Sequence, residues 1–191
     1  MDEELRSLTE RLRQESGASP AFERLVATDD LDALAELLTE PGQPLWTREL
    51  AAFRLGLARD RRAFEALVLL LNHRDPPRCA SAAHALARLG DPRTARAAAA
   101  LATNELRVAY ALHPVRLLVE LRAPEAVPAL ITTLQRRLRP HDPYRRVALA
   151  CVDGLGTLGD ARAIPVLNEA LAHPALAEAA VRALGRIPKQ R

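Results

Sequence analysis

Apolar side chains recur along this chain at steps of three and four residues, the spacing that places them on one face of an α-helix. The same pattern returns at intervals of about 30 residues around a short turn. With the aspartate of that turn as origin, the equivalent positions are Asp30, Asp60, Asp91, Ala123, Asp160 and, in a truncated last unit, Lys189. Five residues before each origin stands a leucine, at Leu25, Leu55, Leu86, Leu118, Leu155 and Leu184. Each unit is therefore predicted to form a helix A, a turn and a helix B.

The turn carries local signals for both helices. Its aspartate can accept hydrogen bonds from the free amides that open helix B, and Pro92 at a first helical position has no amide hydrogen to satisfy. Gly90 and Gly159 permit the chain reversal after helix A. Helices of this length are marginally stable alone, so the hairpins are expected to stack on one another.

Composition agrees with a helical core, because 49% of the residues are apolar and only 3% are aromatic. The opening residues MDEELRSL are acidic where a secretory signal needs bases, and no apolar run reaches the roughly 18 residues of a membrane span. We therefore expect a cytoplasmic protein that does not enter a membrane. Cys79 and Cys151 lie within apolar helical patterns and are expected to be buried thiols in a reducing compartment.

Charge is unevenly distributed along the chain. Residues 1–40 hold 11 acids and 4 arginines, a net charge of −7, whereas the remaining residues carry +10. Such asymmetry is typical of a basic binding face, and it also occurs on surfaces that only keep a protein in solution.

Two segments carry a family resemblance, RCASAAHALARLGDPRTA at 78–95 and RRVALACVDGLGTLGDARAIPVL at 145–167. They resemble the HEAT-like repeat family, most closely the short bacterial variant found in phycobilisome bilin lyases, over roughly residues 20–187. We expect an all-α fold, a right-handed α-solenoid of about five HEAT-like helical hairpins in a single domain over 1–191. Residues 1–28 are expected to form N-terminal capping helices, 29–174 the repeats and 175–191 a C-terminal capping helix.

The hairpin with Ala123 at its turn departs from the family pattern. Ala123 replaces the capping aspartate and Arg122 replaces the glycine. Pro114 falls within helix A, which predicts a kink or a late start of that helix.

Candidate catalytic and metal-binding motifs are weak. Residues 154–159, GLGTLG, match a dinucleotide-binding fingerprint, but the repeat pattern places Gly159 at the turn and Gly156 where a small residue recurs and helices pack closely. The five histidines have no ligand-like spacing, and Ser81 with His84 lacks a third group that would orient the base. We predict no catalytic residue, metal site or cofactor.

The resemblance assigns helix B to the concave side of the stack. The polar positions two and five residues after the origin are therefore the candidate partner-binding residues: Arg62, Glu65, Arg93, Arg96, Glu125 and Arg162. A second cluster falls where the repeat interval lengthens to 37 residues, in QRRLRPHDPYRR at 135–146. Its candidate contacts for an anion or partner are Arg136, Arg137, Arg139, Arg145 and Arg146. The alternative is that the arginines of both sets pair with neighbouring acids or are simply solvated.

The leading interpretation is a non-catalytic scaffold or adaptor that binds a protein or peptide on its concave face. One alternative is a nucleic-acid-binding HEAT-like protein that uses the basic groove and the arginine corner. A second alternative is a bilin lyase-like enzyme subunit. The last A helix, ALAEAAVRALGRI, has no helix B after it, so part of its apolar face is expected to be uncovered and available for a homodimer.

Overall fold

The computed structural model describes residues 3–188, and this part of the chain is helical with no strand. The predicted all-α class is confirmed. The chain forms two compact units that divide after Thr94. The single domain, the right-handed solenoid and the number of repeats stay predictions.

The first unit is built from hairpins that follow a helix at the N-terminus. Its helices are α1 (Glu3–Glu15), α2 (Pro20–Ala27), α3 (Leu31–Thr39), α4 (Leu45–Leu57), α5 (Phe64–Leu71) and α6 (Pro76–Leu89). A 3₁₀ turn at Arg61–Ala63 leads into α5. In this unit α2, α4 and α6 are A helices, and α3 and α5 are B helices, as the repeat pattern predicts.

The second unit continues the alternation. Its helices are α7 (Thr94–Ala102), which starts at the division, α8 (Leu112–Leu121), α9 (Ala126–Arg137), α10 (Arg145–Leu158), α11 (Ile164–Ala170) and α12 (Ala177–Arg186). 3₁₀ turns at Glu105–Tyr110 and Ala161–Ala163 precede α8 and α11.

The leucine that precedes each turn by five residues lies in the core. Leu25, Leu55, Leu86, Leu118 and Leu155 are buried, whereas Leu184 in the last helix is half-buried. Within each unit the A helices pack on one another, with α4 against α2 and α6, and α10 against α8 and α12. Burying one leucine fully contributes roughly 1.5–3 kcal/mol.

A small residue four positions before the turn permits the A helices to approach closely. A Cβ atom added at Gly56 would lie 2.9 Å from the Cβ of Ala85, and one added at Gly156 would lie 2.7 Å from the Cα of Ala183. The second distance is to backbone, which cannot move without shifting α12. Close packing between neighbouring hairpins therefore fixes glycine at these positions.

The turns are capped as predicted. The side chain of Asp30 accepts hydrogen bonds from the amides of Asp32 and Ala33. At Asp60, Asp91 and Asp160 the side chain accepts from the amide two residues later. Gly90 and Gly159 end their helices in the left-handed conformation, with φ of 66° and 69°.

The hairpin formed by α8 and α9 shows the predicted late start of its A helix. Helix α6 and helix α10 each begin 15 residues before the turn origin, whereas α8 begins 11 residues before Ala123. A 3₁₀ segment replaces the missing turn of helix, and Pro114 lies buried just inside α8. Arg122 takes the left-handed conformation usually given to glycine, with φ of 49°.

The last helix, α12, buries its alanines against neighbouring helices. Ala179, Ala180 and Ala183 of α12 are buried, and the helix packs on α10 and α11. Among its large apolar side chains, Val181 remains exposed, at 61%. Part of the apolar face of α12 is therefore uncovered, at Val181 and at half-buried Leu184, and a homodimer through this helix stays a prediction.

Candidate functional site

The B-helix face of the first unit holds Arg62, Glu65 and Arg93. Arg62 donates from Nε and Nη2 to the carboxylate of Asp60, the aspartate of its own turn. Its Nη1 reaches Asp32 of the preceding hairpin at 2.7 Å. One arginine thereby joins its turn to the neighbouring repeat.

Arg93 repeats this arrangement one hairpin later. It donates to Asp91 from Nε and Nη2, both at 3.0 Å, and its Nη1 reaches Glu65 at 3.1 Å. The guanidinium also stacks on Phe64, with 3.9 Å between its carbon and the ring centroid. A stacked, bidentate arginine is held in one orientation.

The B-helix face of the second unit holds Arg96, Glu125 and Arg162. Arg162 forms the same bidentate pair with its own turn aspartate, Asp160. Within the described residues it has no further acidic partner, so Nη1 remains free and the side chain is 64% exposed. Arg96 is exposed and forms no ion pair within residues 3–188.

These pairs perturb the turn carboxylates in the same direction. The hydrogen bond from Arg62 lowers the pKa of Asp60, and Arg93 and Arg162 lower those of Asp91 and Asp160. The same bonds raise the pKa of each arginine. All three pairs are therefore fully charged near neutral pH.

The sequence predicted these positions as a partner-binding set, with pairing to nearby acids as the alternative. The structure shows that Arg62, Arg93 and Arg162 do pair with acids, although each guanidinium is still solvent-accessible. Recognition of a partner by this face stays a prediction.

The arginine corner does not form a single cluster. Arg136 donates to the carbonyl of Thr103 at 2.7 Å and pairs with Glu105 at 3.0 Å. Arg137 pairs with Asp142 at 3.0 Å and lies 5.7 Å from the ring centroid of Tyr144. Both arginines therefore tie parts of the second unit together.

The other three corner arginines are exposed and have no ion pair within the described residues. Arg139 and Arg145 line one depression of about 470 Å³, beside His141 and His173. Arg146 lines a different depression of about 400 Å³ between α8 and α10, with Arg116 and Asp153.

The positive charge around Arg146 also affects a neighbouring histidine. Burial, together with the charges of Arg116 and Arg146, lowers the pKa of His113 below its ordinary value. His113 is therefore neutral at physiological pH and adds no charge to this side of the unit.

A buried charge cluster in the first unit was not anticipated. Glu49 on α4, only 1% exposed, pairs with Arg11 and Arg78, and Arg78 also donates to Glu15 at 2.6 Å. Burial alone would lower the pKa of Arg78, but the bond from Glu15 and the charge of Glu49 outweigh it and raise that pKa. The available signal was a lone acid on the apolar face of α4 and a lone base on that of α6.

The candidate enzyme motifs adopt structural roles. The segment 154–159 lies at the end of helix α10, where an added Cβ at Gly154 would meet Val119 at 2.5 Å. Ser81 donates to the carbonyl of Pro77 in its own helix, and His84 stacks on Phe53 at 5.8 Å. The predicted packing role of this glycine pattern is confirmed.

The cysteines are buried, as predicted. Burial raises the pKa of the Cys151 thiol to about 12, so it stays protonated and unreactive near neutral pH. Within residues 3–188, no three His, Cys, Asp or Glu side chains converge to hold a metal ion. The helices of this part of the chain are too short or too polar to cross a membrane.

A comparison with curated proteins finds no match. A comparison with family models does find one, and it falls on the hairpin that carries Asp160 and Arg162. The model of the PBS lyase HEAT-like repeat matches residues 147–173, which confirms the resemblance of this protein to the HEAT-like repeat family.

Proposed function

We propose that this protein is a non-catalytic interaction module that binds an acidic segment of a protein partner on the B-helix face of its second unit. HEAT-like repeats commonly mediate protein interactions, so a repeat at 147–173 supports a scaffold. We infer that the B-helix face of the second unit binds the partner and that the bound segment is acidic.

The observation that carries the proposal is the state of Arg162. Its Nε and Nη2 are held by Asp160, while its Nη1 has no partner among the described residues. An arginine fixed in one orientation loses little side-chain entropy when it binds a carboxylate. Arg96, in the same unit, adds a second exposed positive charge.

The proposal is tested by affinity capture from cells that contain the natural partner, with quantitative mass spectrometry. The variant Arg96→Glu/Arg162→Glu reverses the charge of both exposed arginines. Its control is Arg182→Glu, because Arg182 is also exposed and paired, with Glu178, but lies on the A helix α12. We expect one partner to be lost with the double variant and retained with the control.

Equal recovery with all three proteins contradicts the proposal. So does a partner that is lost with both variants, because that result indicates attraction to net charge alone.

Nucleic acid is the competing ligand, since the second unit carries 14 bases and 8 acids, a net charge of +6. Electrophoretic titration against DNA and RNA at two salt concentrations separates the two functions. Phosphate-backbone binding weakens steeply with salt. Tight, salt-sensitive binding that Arg96→Glu/Arg162→Glu abolishes would favour nucleic acid over a protein segment.

A further inference from the structure

A separate depression in the second unit has the features of a binding site. The loop that follows α9, the start of α10 and the loop that follows α11 enclose about 470 Å³, which we name the corner pocket. A volume of several hundred Å³ is ordinary for a ligand site. The side chains that line it include Arg139, Pro140, Arg145, Ala148, Pro174 and Leu176.

The corner pocket has an unneutralised positive rim. Arg139 and Arg145 line it, are exposed, and form no ion pair within residues 3–188. Arg137 also lines it, but the charge of Arg137 is balanced by Asp142 at 3.0 Å. The rim therefore carries about two positive charges that await a counter-charge from outside the unit.

The interior of the corner pocket is apolar. Ala148 and Leu176 are buried beneath it, and Pro140 and Pro174 stand on its walls. A free inorganic anion could contact the rim but would leave this apolar surface in contact with water. The best-fitting ligand has an apolar group between two anionic ones.

The loops that shape the corner pocket are held by hydrogen bonds. The amide of Tyr144 donates to Asp142 at 2.9 Å, and the amides of Leu176 and Ala177 donate to the carbonyl of His173 at 2.8 and 2.9 Å. A pocket whose walls are already ordered loses little conformational entropy on binding.

We propose that the corner pocket binds a short acidic segment of a partner protein, with an apolar side chain in the pocket and flanking Asp or Glu side chains on Arg139 and Arg145. Nucleic acid fits less well, because the interior is apolar and the aromatic rings among the described lining residues are those of His141 and His173 alone, with no Phe, Tyr or Trp to stack a base. The corner pocket shares no residue with the B-helix face, so either proposal can fail alone.

The test uses fluorescence anisotropy with three labelled peptides and the intact protein. The probe is GDELEDG, and its controls are GNQLQNG, which lacks the charges, and GDEGEDG, which lacks the apolar side chain. We expect the probe to bind roughly tenfold more tightly than either control, because it alone satisfies both the rim and the interior.

The matched variants are Arg139→Glu/Arg145→Glu and Arg182→Glu/Arg186→Glu. Both change the net charge of the unit equally, but neither Arg182 nor Arg186 lines the corner pocket. We expect the first to lower the affinity for GDELEDG roughly tenfold or more, and the second less than about threefold, through loss of long-range attraction. Circular dichroism confirms that both variants are folded.

Three results would overturn the proposal. The first is equal binding of GDELEDG and GNQLQNG, and the second is an equal loss of affinity in both double variants. The third is a 20-nucleotide single-stranded DNA that binds more tightly than the peptide and whose binding is lost in Arg139→Glu/Arg145→Glu.

Sedimentation of the protein without peptide adds a further check. Self-association that is lost only in Arg139→Glu/Arg145→Glu would assign the corner pocket to a second copy and overturn the proposal.

Discussion

In the first unit Arg62 and Arg93 each reach an acid of the preceding hairpin, whereas in the second unit Arg162 reaches only the aspartate of its own turn. The first unit has 13 bases and 16 acids, and the second has 14 bases and 8 acids. The same turn thus holds its arginine in the same way in both units. What differs is whether an acid of the preceding hairpin accepts a hydrogen bond from Nη1 of the arginine.

The buried cluster extends this comparison. In the first unit even a base on an apolar face, Arg78, is neutralised by Glu15 and Glu49. In the second unit Arg139, Arg145 and Arg146 have no carboxylate partner within the described residues. Arg78 is thus neutralised inside the first unit, whereas Arg139, Arg145 and Arg146 of the second unit are exposed to solvent, where a partner can use their charges.

The largest expected effect comes from breaking the buried cluster. Glu49→Ala should lower the free energy of unfolding of the first unit by about 3 kcal/mol, because it leaves Arg78 buried with fewer counter-charges. Hydrogen exchange of the α4 and α6 amides measures the loss. The control is Glu65→Ala, an exposed acid, which should cost less than about 0.5 kcal/mol. Similar costs for the two variants would contradict the role of Glu49 as a counter-charge of buried Arg78.

The next prediction tests the close packing of A helices, which occurs within each of the two units. Gly156→Ala should cost about 2 kcal/mol, because its Cβ would meet the backbone of Ala183 at 2.7 Å. Gly56→Ala should cost slightly less, because its shortest distance is longer, 2.9 Å to the Cβ of Ala85, although that atom cannot move without its backbone. Gly185→Ala has open space around it and should be neutral or slightly stabilising. Urea denaturation of the three variants gives the order, and a different order would contradict the packing account.

A smaller effect distinguishes the turns by pH. Arg93 holds the pKa of Asp91 below its ordinary value, so its stabilisation is complete above the unfolded pKa of about 4. It is lost as the pH falls through the lower, folded pKa. Asp91→Asn should therefore cost about 1 kcal/mol at pH 7, and this difference should shrink below about pH 4.

Denaturation across a pH series, followed by circular dichroism, measures the Asp91 effect. Asp160→Asn is the matched variant in the second unit and should cost less, because Asp160 is less buried than Asp91. A difference between wild type and Asp91→Asn that is independent of pH would rule out the ion pair as its source.

The smallest effect on stability is expected from giving Arg162 an acidic partner in the preceding hairpin. Pro128 lies five residues after Ala123, the position that Glu65 holds in the first unit. Pro128→Glu should add no more than about 0.5 kcal/mol of stability, as expected for an exposed ion pair. It should nevertheless remove the partner captured through Arg162. Pro128→Gln is the control for the change of backbone, and loss of the partner in both would implicate the proline itself.

The repeating parts of this fold could be predicted from the sequence. The leucines, the small residues and the turn aspartates recur at the same positions of successive hairpins, so the periodicity locates them. Glu49 and Arg78 were missed because their burial depends on facing each other across two helices that are far apart in sequence. The five corner arginines are neighbours in sequence, yet they point to different surroundings once α9 ends and α10 begins.

The helical class, the hairpin pattern and the capped turns follow from hydrophobic spacing and from hydrogen bonds between residues close in the chain, so they could be read from the sequence. The pairing of each arginine and the position of the pockets depend on how the helices pack in three dimensions. An ion pair between hairpins depends on distances of a few ångströms between side chains some 30 residues apart. No local pattern specifies such a distance, so the proposed binding surfaces depend on how the helices pack.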